Sequence, residues 1–180
     1  MKNILVVGAP GSGKTTLVRT VAERLHNLAP AGFYTAEIRV SGIRQGFELV
    51  SFSNERRILS HVTIRSPYRV GKYGVDVAGF DDFLAALPDA DSECALYIID
   101  EIGKMETLSC QFCTLVNDVL ASDIPCIATI AQRGDRWIEA IKHRNDVEVM
   151  TVDSKNRTVL ADLIIARVNA IVHGKRSGSE

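Results

Sequence analysis

Gly8-Ala9-Pro10-Gly11-Ser12-Gly13-Lys14-Thr15 follows the apolar run Asn3-Ile4-Leu5-Val6-Val7 and precedes a helical pattern that starts near Lys14. Strand, glycine-rich loop and helix in that order, with the spacing G-x-x-x-x-G-K-[ST], read as a P-loop. Gly8, Gly11 and Gly13 let the backbone turn tightly with its N–H groups inward, which makes an anion nest at a helix N-terminus. Lys14 can reach β- and γ-phosphates, and the Thr15 hydroxyl can ligate Mg²⁺. Ala9, Pro10, Ser12 and Thr16 complete the expected nucleotide-binding set.

The pattern around this loop gives the rest of the fold. Helix one is expected to run to about Asn27, with Leu17, Val18, Val21 and Leu25 on one face. Residues 33–40, with partial alternation, and 47–52, which alternate, flank a turn at Ser41–Gly46 and read as a hairpin. Residues 54–74 are polar and irregular by pattern, with a possible short strand near 59–64. A helix is expected from about Gly79 to Leu87, with Asp81 and Asp82 in its first turn. Further helices fall at about 106–122, 135–142 and 156–172, the last with Val159, Leu160, Leu163, Ile164, Val168 and Ile171 inward. Between them lie buried-strand patterns at 95–101, 124–130 and 147–152. The class is α/β, a mostly parallel sheet with helices on both faces and an added antiparallel hairpin. Residues 1–173 read as one P-loop domain, with 174–180 a disordered polar tail.

Ala95-Leu96-Tyr97-Ile98-Ile99 runs into the acidic pair Asp100-Glu101, as a Walker B strand would. Asp100 would hold Mg²⁺ together with Thr15, and Glu101 is placed to polarise an attacking water. Glu101 and Lys14 are therefore the expected catalytic residues.

Composition narrows the class. The chain has 180 residues, 46% of them hydrophobic, and 21 Lys+Arg balance 22 Asp+Glu. That length suits one domain and that balance argues against a duplex or anionic-membrane partner. There is no basic stripe with interleaved aromatics, so nucleic acid is not expected as a partner. No apolar run is long enough to span a membrane. A strand pattern at the very start leaves no room for a signal peptide, and Cys94, Cys110, Cys113 and Cys126 read as reduced thiols, so a cytoplasmic protein is expected.

Taken together, several stretches resemble the small THEP-type nucleoside-triphosphatases. They are the P-loop, Gly32-Phe33-Tyr34-Thr35 with Glu37 and Arg39, Gly42-Ile43-Arg44-Gln45-Gly46-Phe47, Arg69-Val70-Gly71-Lys72-Tyr73-Gly74-Val75, Asp100-Glu101-Ile102-Gly103-Lys104-Met105-Glu106, and Asn156-Arg157. The likeness spans nearly the whole chain. One departure is Thr107, where the family's motif tends to continue with Leu. The resemblance implies a RecA-like P-loop domain that slowly hydrolyses ATP, GTP and other nucleoside triphosphates to the diphosphate and phosphate. A nucleotide or nucleoside kinase, with 54–74 as a lid, and a nucleotide-dependent switch remain the alternatives.

A cation beyond Lys14 would help stabilise charge on the γ-phosphate. The candidates are Lys104, just after Glu101, Arg69 and Lys72 in a Gly-flanked loop, and Arg133 and Arg136 after the strand ending at Ile130. Asn156 either contacts the nucleobase or caps the closing helix. Cys110 and Cys113 are spaced C-x-x-C without further ligands nearby and are expected to pack in a helix core. Trp137 and Tyr73 are the aromatics to consider for base stacking, with packing under a helix the preferred reading for Trp137.

Overall fold

The computed structural model describes residues 1–88 and 94–176, with side chains through Gly174. β1 (Asn3–Val7) enters the P-loop, and α1 (Lys14–Arg24) leaves it. A meander follows: β2 (Ala31–Val40), β3 (Ile43–Ser51), β4 (Arg56–His61), β5 (Arg69–Val70) and β6 (Tyr73–Val75). Then come α2 (Val77–Ala85), β7 (Tyr97–Ile102), α3 (Cys110–Ala121), β8 (Cys126–Ile130), α4 (Arg136–Lys142), β9 (Val147–Thr151) and α5 (Arg157–Arg176).

All nine strands form one sheet, in the order β5-β6-β4-β3-β2-β7-β8-β1-β9. From β2 to β9 every pairing is parallel, and β8 lies between the P-loop strand β1 and the acid-bearing strand β7. This is the RecA-like P-loop arrangement. The other half is antiparallel and larger than one hairpin: β4, β6 and β5 extend β2–β3 to the sheet edge. The expected irregular stretch therefore contains strands. Leu59 on β4 and Val75 on β6 are buried and anchor it from the inside, whereas Ile58 and Tyr68 are exposed among its charged residues.

Helices cover both faces. Leu17, Val18 and Val21 of α1 and Ile164 and Val168 of α5 close one side over Ile4, Val6, Ile98 and Ile127. α2, α3 and α4 close the other, where Phe33 sits edge-on to Phe80 and Phe83 at centroid distances of 6.0 and 5.7 Å. The central parallel strands β1, β7 and β8 are buried along nearly their whole length, which explains their apolar runs.

Several boundaries move for local reasons. Asp76 caps α2 by accepting from the Gly79 amide, so the helix starts at Val77 and Asp81 and Asp82 lie beyond its first turn. Ser109 caps α3 by accepting from the Phe112 amide, which separates that helix from a 3-10 turn at Glu106–Leu108. On α5 the buried stripe is Leu160, Ile164, Val168 and Val172, and Val159 and Leu163 face outward at 70% and 45% exposure. A four-residue step keeps one narrow stripe against the sheet, and those two residues fall off it. α5 continues to Arg176, into the stretch read as tail, and 177–180 lie outside the described residues. Cys110 is exposed at the start of α3 and Cys113 is half-buried, so the pair is off the core stripe of Phe112, Val116, Val119 and Leu120. Among the described residues no helix is long and apolar enough to cross a membrane.

Candidate functional site

The P-loop has the backbone its glycines foretell. Gly11 and Gly13 hold φ of 78° and 93°, values that side chains rarely adopt. A methyl group on Gly8 would press on Ser12 Oγ and lie 2.7 Å from the Val152 carbonyl oxygen. The loop is thus seated against the end of β9, with Ser12 N donating to the Ala9 carbonyl at 3.0 Å. Ser12 Oγ is buried and has no hydrogen-bond partner among the described residues.

Lys14 curls back over the loop. Its Nζ donates to the Gly8 carbonyl at 3.1 Å and lies 3.7 Å from Glu101 Oε2. β7 delivers Glu101 from two strands away, and the peptide joining Asp100 to Glu101 is cis. Burial raises the Glu101 carboxyl pKa above its ordinary value, the Lys14 ammonium pulls it back, and the Asp100 charge adds to the rise.

Asp100 is fully buried and ringed by hydroxyls. Thr129 Oγ1 donates to its Oδ1 at 2.6 Å, and Thr35 donates to its Oδ2 from the hydroxyl at 3.3 Å and the amide at 3.4 Å. The Thr15 hydroxyl lies close enough to help hold its charge. Burial drives the Asp100 pKa up, and the hydroxyls of Thr129, Thr15 and Thr35 with the Thr35 amide oppose it, Thr129 most. Thr15 and Asp100, the two residues expected to share Mg²⁺, are therefore neighbours. Their hydroxyl and carboxylate oxygens, with more hydroxyls behind them, are the donors that a hard divalent cation takes.

Beside Glu101 opens a cleft of about 300 Å³, lined also by Thr35, Phe47, Lys104, Glu106 and Arg133. Lys104 and Arg133 thus reach the neighbourhood expected of them. Arg69 and Lys72 do not: Arg69 donates to the Lys72 carbonyl within their own hairpin, Lys72 donates to the Arg44 carbonyl of β3, and neither lines the cleft. Tyr73 is buried edge-on to Phe47 with its hydroxyl on Arg44, which removes it as a base platform. Trp137 packs, half-buried, against the α4-side core as expected. A larger hollow of about 830 Å³ lies between α1 and β2, with the Arg19 guanidinium 4.8 Å from the centre of the Tyr34 ring, but neither β7 acid lines it.

Glu106 is a site residue that its position in sequence did not announce. The 3-10 turn buries its carboxyl, which accepts from its own amide and that of Gly103. Burial, then the charges of Glu101 and Asp100, push its pKa up to about 8. Its place at the end of the family-like stretch Asp100–Glu106 is the signal the sequence carries.

Asn156 neither caps α5 with its side chain nor is free to read a base. Its Oδ1 accepts from the Asp153 amide and its Nδ2 donates to the Thr151 carbonyl, both at 2.9 Å. Among the described residues no group of three or more His, Cys, Asp and Glu side chains is placed to hold a metal ion.

A family profile described as NTPase matches residues 3–165. The chain belongs to this NTPase family. It is 41% identical over 164 residues to a protein of Thermotoga maritima named nucleoside-triphosphatase THEP1, covering 91% of this chain and 93% of that one. It is 39% identical over 158 residues to the protein of that name from Methanothermobacter thermautotrophicus, covering 86% and 88%. The crystal structure of THEP1 from Aquifex aeolicus superimposes with a TM-score of 0.81 at 30% identity, over 92% of this chain and 98% of that one. The solution structure of a human cancer-related nucleoside triphosphatase does so with 0.78 at 33%, over 94% and 98%.

Proposed function

We propose that this chain hydrolyses nucleoside triphosphates, ATP and GTP among them, to the diphosphate and phosphate. One observation carries the reading: the P-loop cation and the acid pair of β7 converge, Lys14 with Glu101 and Thr15 with Asp100. The names of its relatives support the reaction class.

The loop amides and Lys14 would hold the β- and γ-phosphates. Glu101 would take the proton of the attacking water, and its raised pKa makes it a stronger base for that step. Thr15 and Asp100 would hold Mg²⁺, which when bound supplies positive charge to the phosphate oxygens. Lys104 and Arg133 are the cations of the cleft that could meet charge developing beyond Lys14.

The test is phosphate release from purified protein with ATP, GTP, CTP and UTP, each with and without Mg²⁺ and with no phosphoryl acceptor. Metal-dependent release from several nucleotides is expected. Tight binding with negligible release would overturn hydrolysis in favour of phosphoryl transfer to an acceptor or a switch.

A further inference from the structure

We propose that Arg157, at the start of α5, is the platform on which the nucleobase stacks, and that it recognises purines and pyrimidines alike. This rests on the reading that the P-loop holds the phosphates.

The strand order sets the direction of the bound molecule. The acids, and Lys14's contact with Glu101, lie on the β7 side of β1, and β9 lies on the other side. A triphosphate with its γ end toward Glu101 and its middle in the nest must send its nucleoside out over the β9 side. The segment found there is 152–157. Val152 abuts Gly8, and Arg157 lies on Gly13: a methyl group at Gly13 would sit 2.7 Å from Arg157 Nη1 and 3.0 Å from its Cδ. The two cations therefore flank the loop from opposite sides.

Arg157 is exposed, and among the described residues no hydrogen bond or ion pair engages its guanidinium. The loop that presents it is internally closed. Asp153 Oδ1 accepts from the amides of Lys155 and Asn156, and the Asn156 amide group is bonded at both ends. Asp153 and Asn156, the residues best suited to read base edges, are thus committed to holding the turn. A planar cation offers a face to any base without reading its edge pattern.

Equilibrium titration of ADP, CDP and pyrophosphate into wild-type protein and the Arg157→Ala and Arg157→Lys variants tests this without needing turnover. Alanine should weaken ADP and CDP each by about tenfold, with pyrophosphate changed less than twofold. Lysine should behave like alanine, because it keeps the charge and loses the plane. Unchanged ADP and CDP affinity, an equal loss for pyrophosphate, or full rescue by lysine would each overturn the proposal. Wild-type protein that binds ADP but releases no phosphate from ATP would instead strike the hydrolytic reading alone.

Discussion

Lys14 Nζ stands 3.7 Å from Glu101 Oε2 while donating to the Gly8 carbonyl. One side chain thus links the anion nest to the carboxylate two strands away. The contact is partly shielded, with the lysine side chain 11% and the glutamate 34% exposed, so it is neither a freely solvated surface pair nor a fully buried one.

Lys14→Ala removes the nest's own cation and should abolish measurable nucleotide binding. Titration of ADP into the variant checks this, and wild-type affinity would remove the loop from the phosphate site. The fold should persist, since Lys14 is at the helix start and the α1 core contacts come from Leu17, Val18 and Val21.

Glu101→Gln keeps size and hydrogen bonding but cannot take a proton. ADP affinity should stay within a few-fold and kcat should fall by at least about 10²-fold. Single-turnover phosphate release gives the number, and a loss of only a few-fold would move the base to another residue.

Metal dependence should localise to Thr15 and Asp100. Chelation with EDTA should stop phosphate release and added Mg²⁺ restore it. In Thr15→Ala the Mg²⁺ concentration for half-maximal rate should rise by about tenfold or more, because a direct hydroxyl donor is gone. Asp100→Asn should have the larger effect, as it loses the charge. A Mg²⁺ requirement that neither variant alters would place the metal elsewhere.

Much of this site is legible in the sequence because its parts are local. A G-x-x-x-x-G-K-T run dictates its own backbone, and Ile98–Glu101 states both burial and charge in four residues. Proximity of Lys14 to Glu101 also follows once the strands are taken as parallel. What could not be read depends on partners distant in sequence. β5 and β6 are too short to show a period, and their pairing comes from the neighbouring strand β4. Val159 and Leu163 look inward on α5 by composition, yet the sheet fixes a different stripe. Asn156-Arg157 stands out in the sequence only as a family-like pair, and the place of Arg157 over Gly13, some 140 residues earlier, comes from the fold.

Glu106 gives the site a pH signature of its own. Its carboxyl is held near pKa 8 in the folded protein by burial and by the neighbouring charges of Glu101 and Asp100, against an ordinary value of 4.5 in the unfolded chain. Below about pH 4.5 both states are protonated and the residue costs nothing. Between there and pH 8 the unfolded chain releases the proton while the folded one retains it, so the folded state loses ground as pH rises. Above about 8 both are ionised and the cost is complete, on the order of a few kcal/mol at roughly 1.4 kcal/mol per pKa unit. Glu106→Gln keeps the shape without the titration. Its Tm should therefore exceed that of wild type by a margin that widens from pH 5 to 8 and then levels. Asp100 and Glu101 titrate in both proteins, so most of their contribution cancels in the difference. Thermal unfolding of the two in metal-free buffer at pH 5, 7 and 9 measures it, and a margin that stayed flat would mean that Glu106 is already ionised in the folded state.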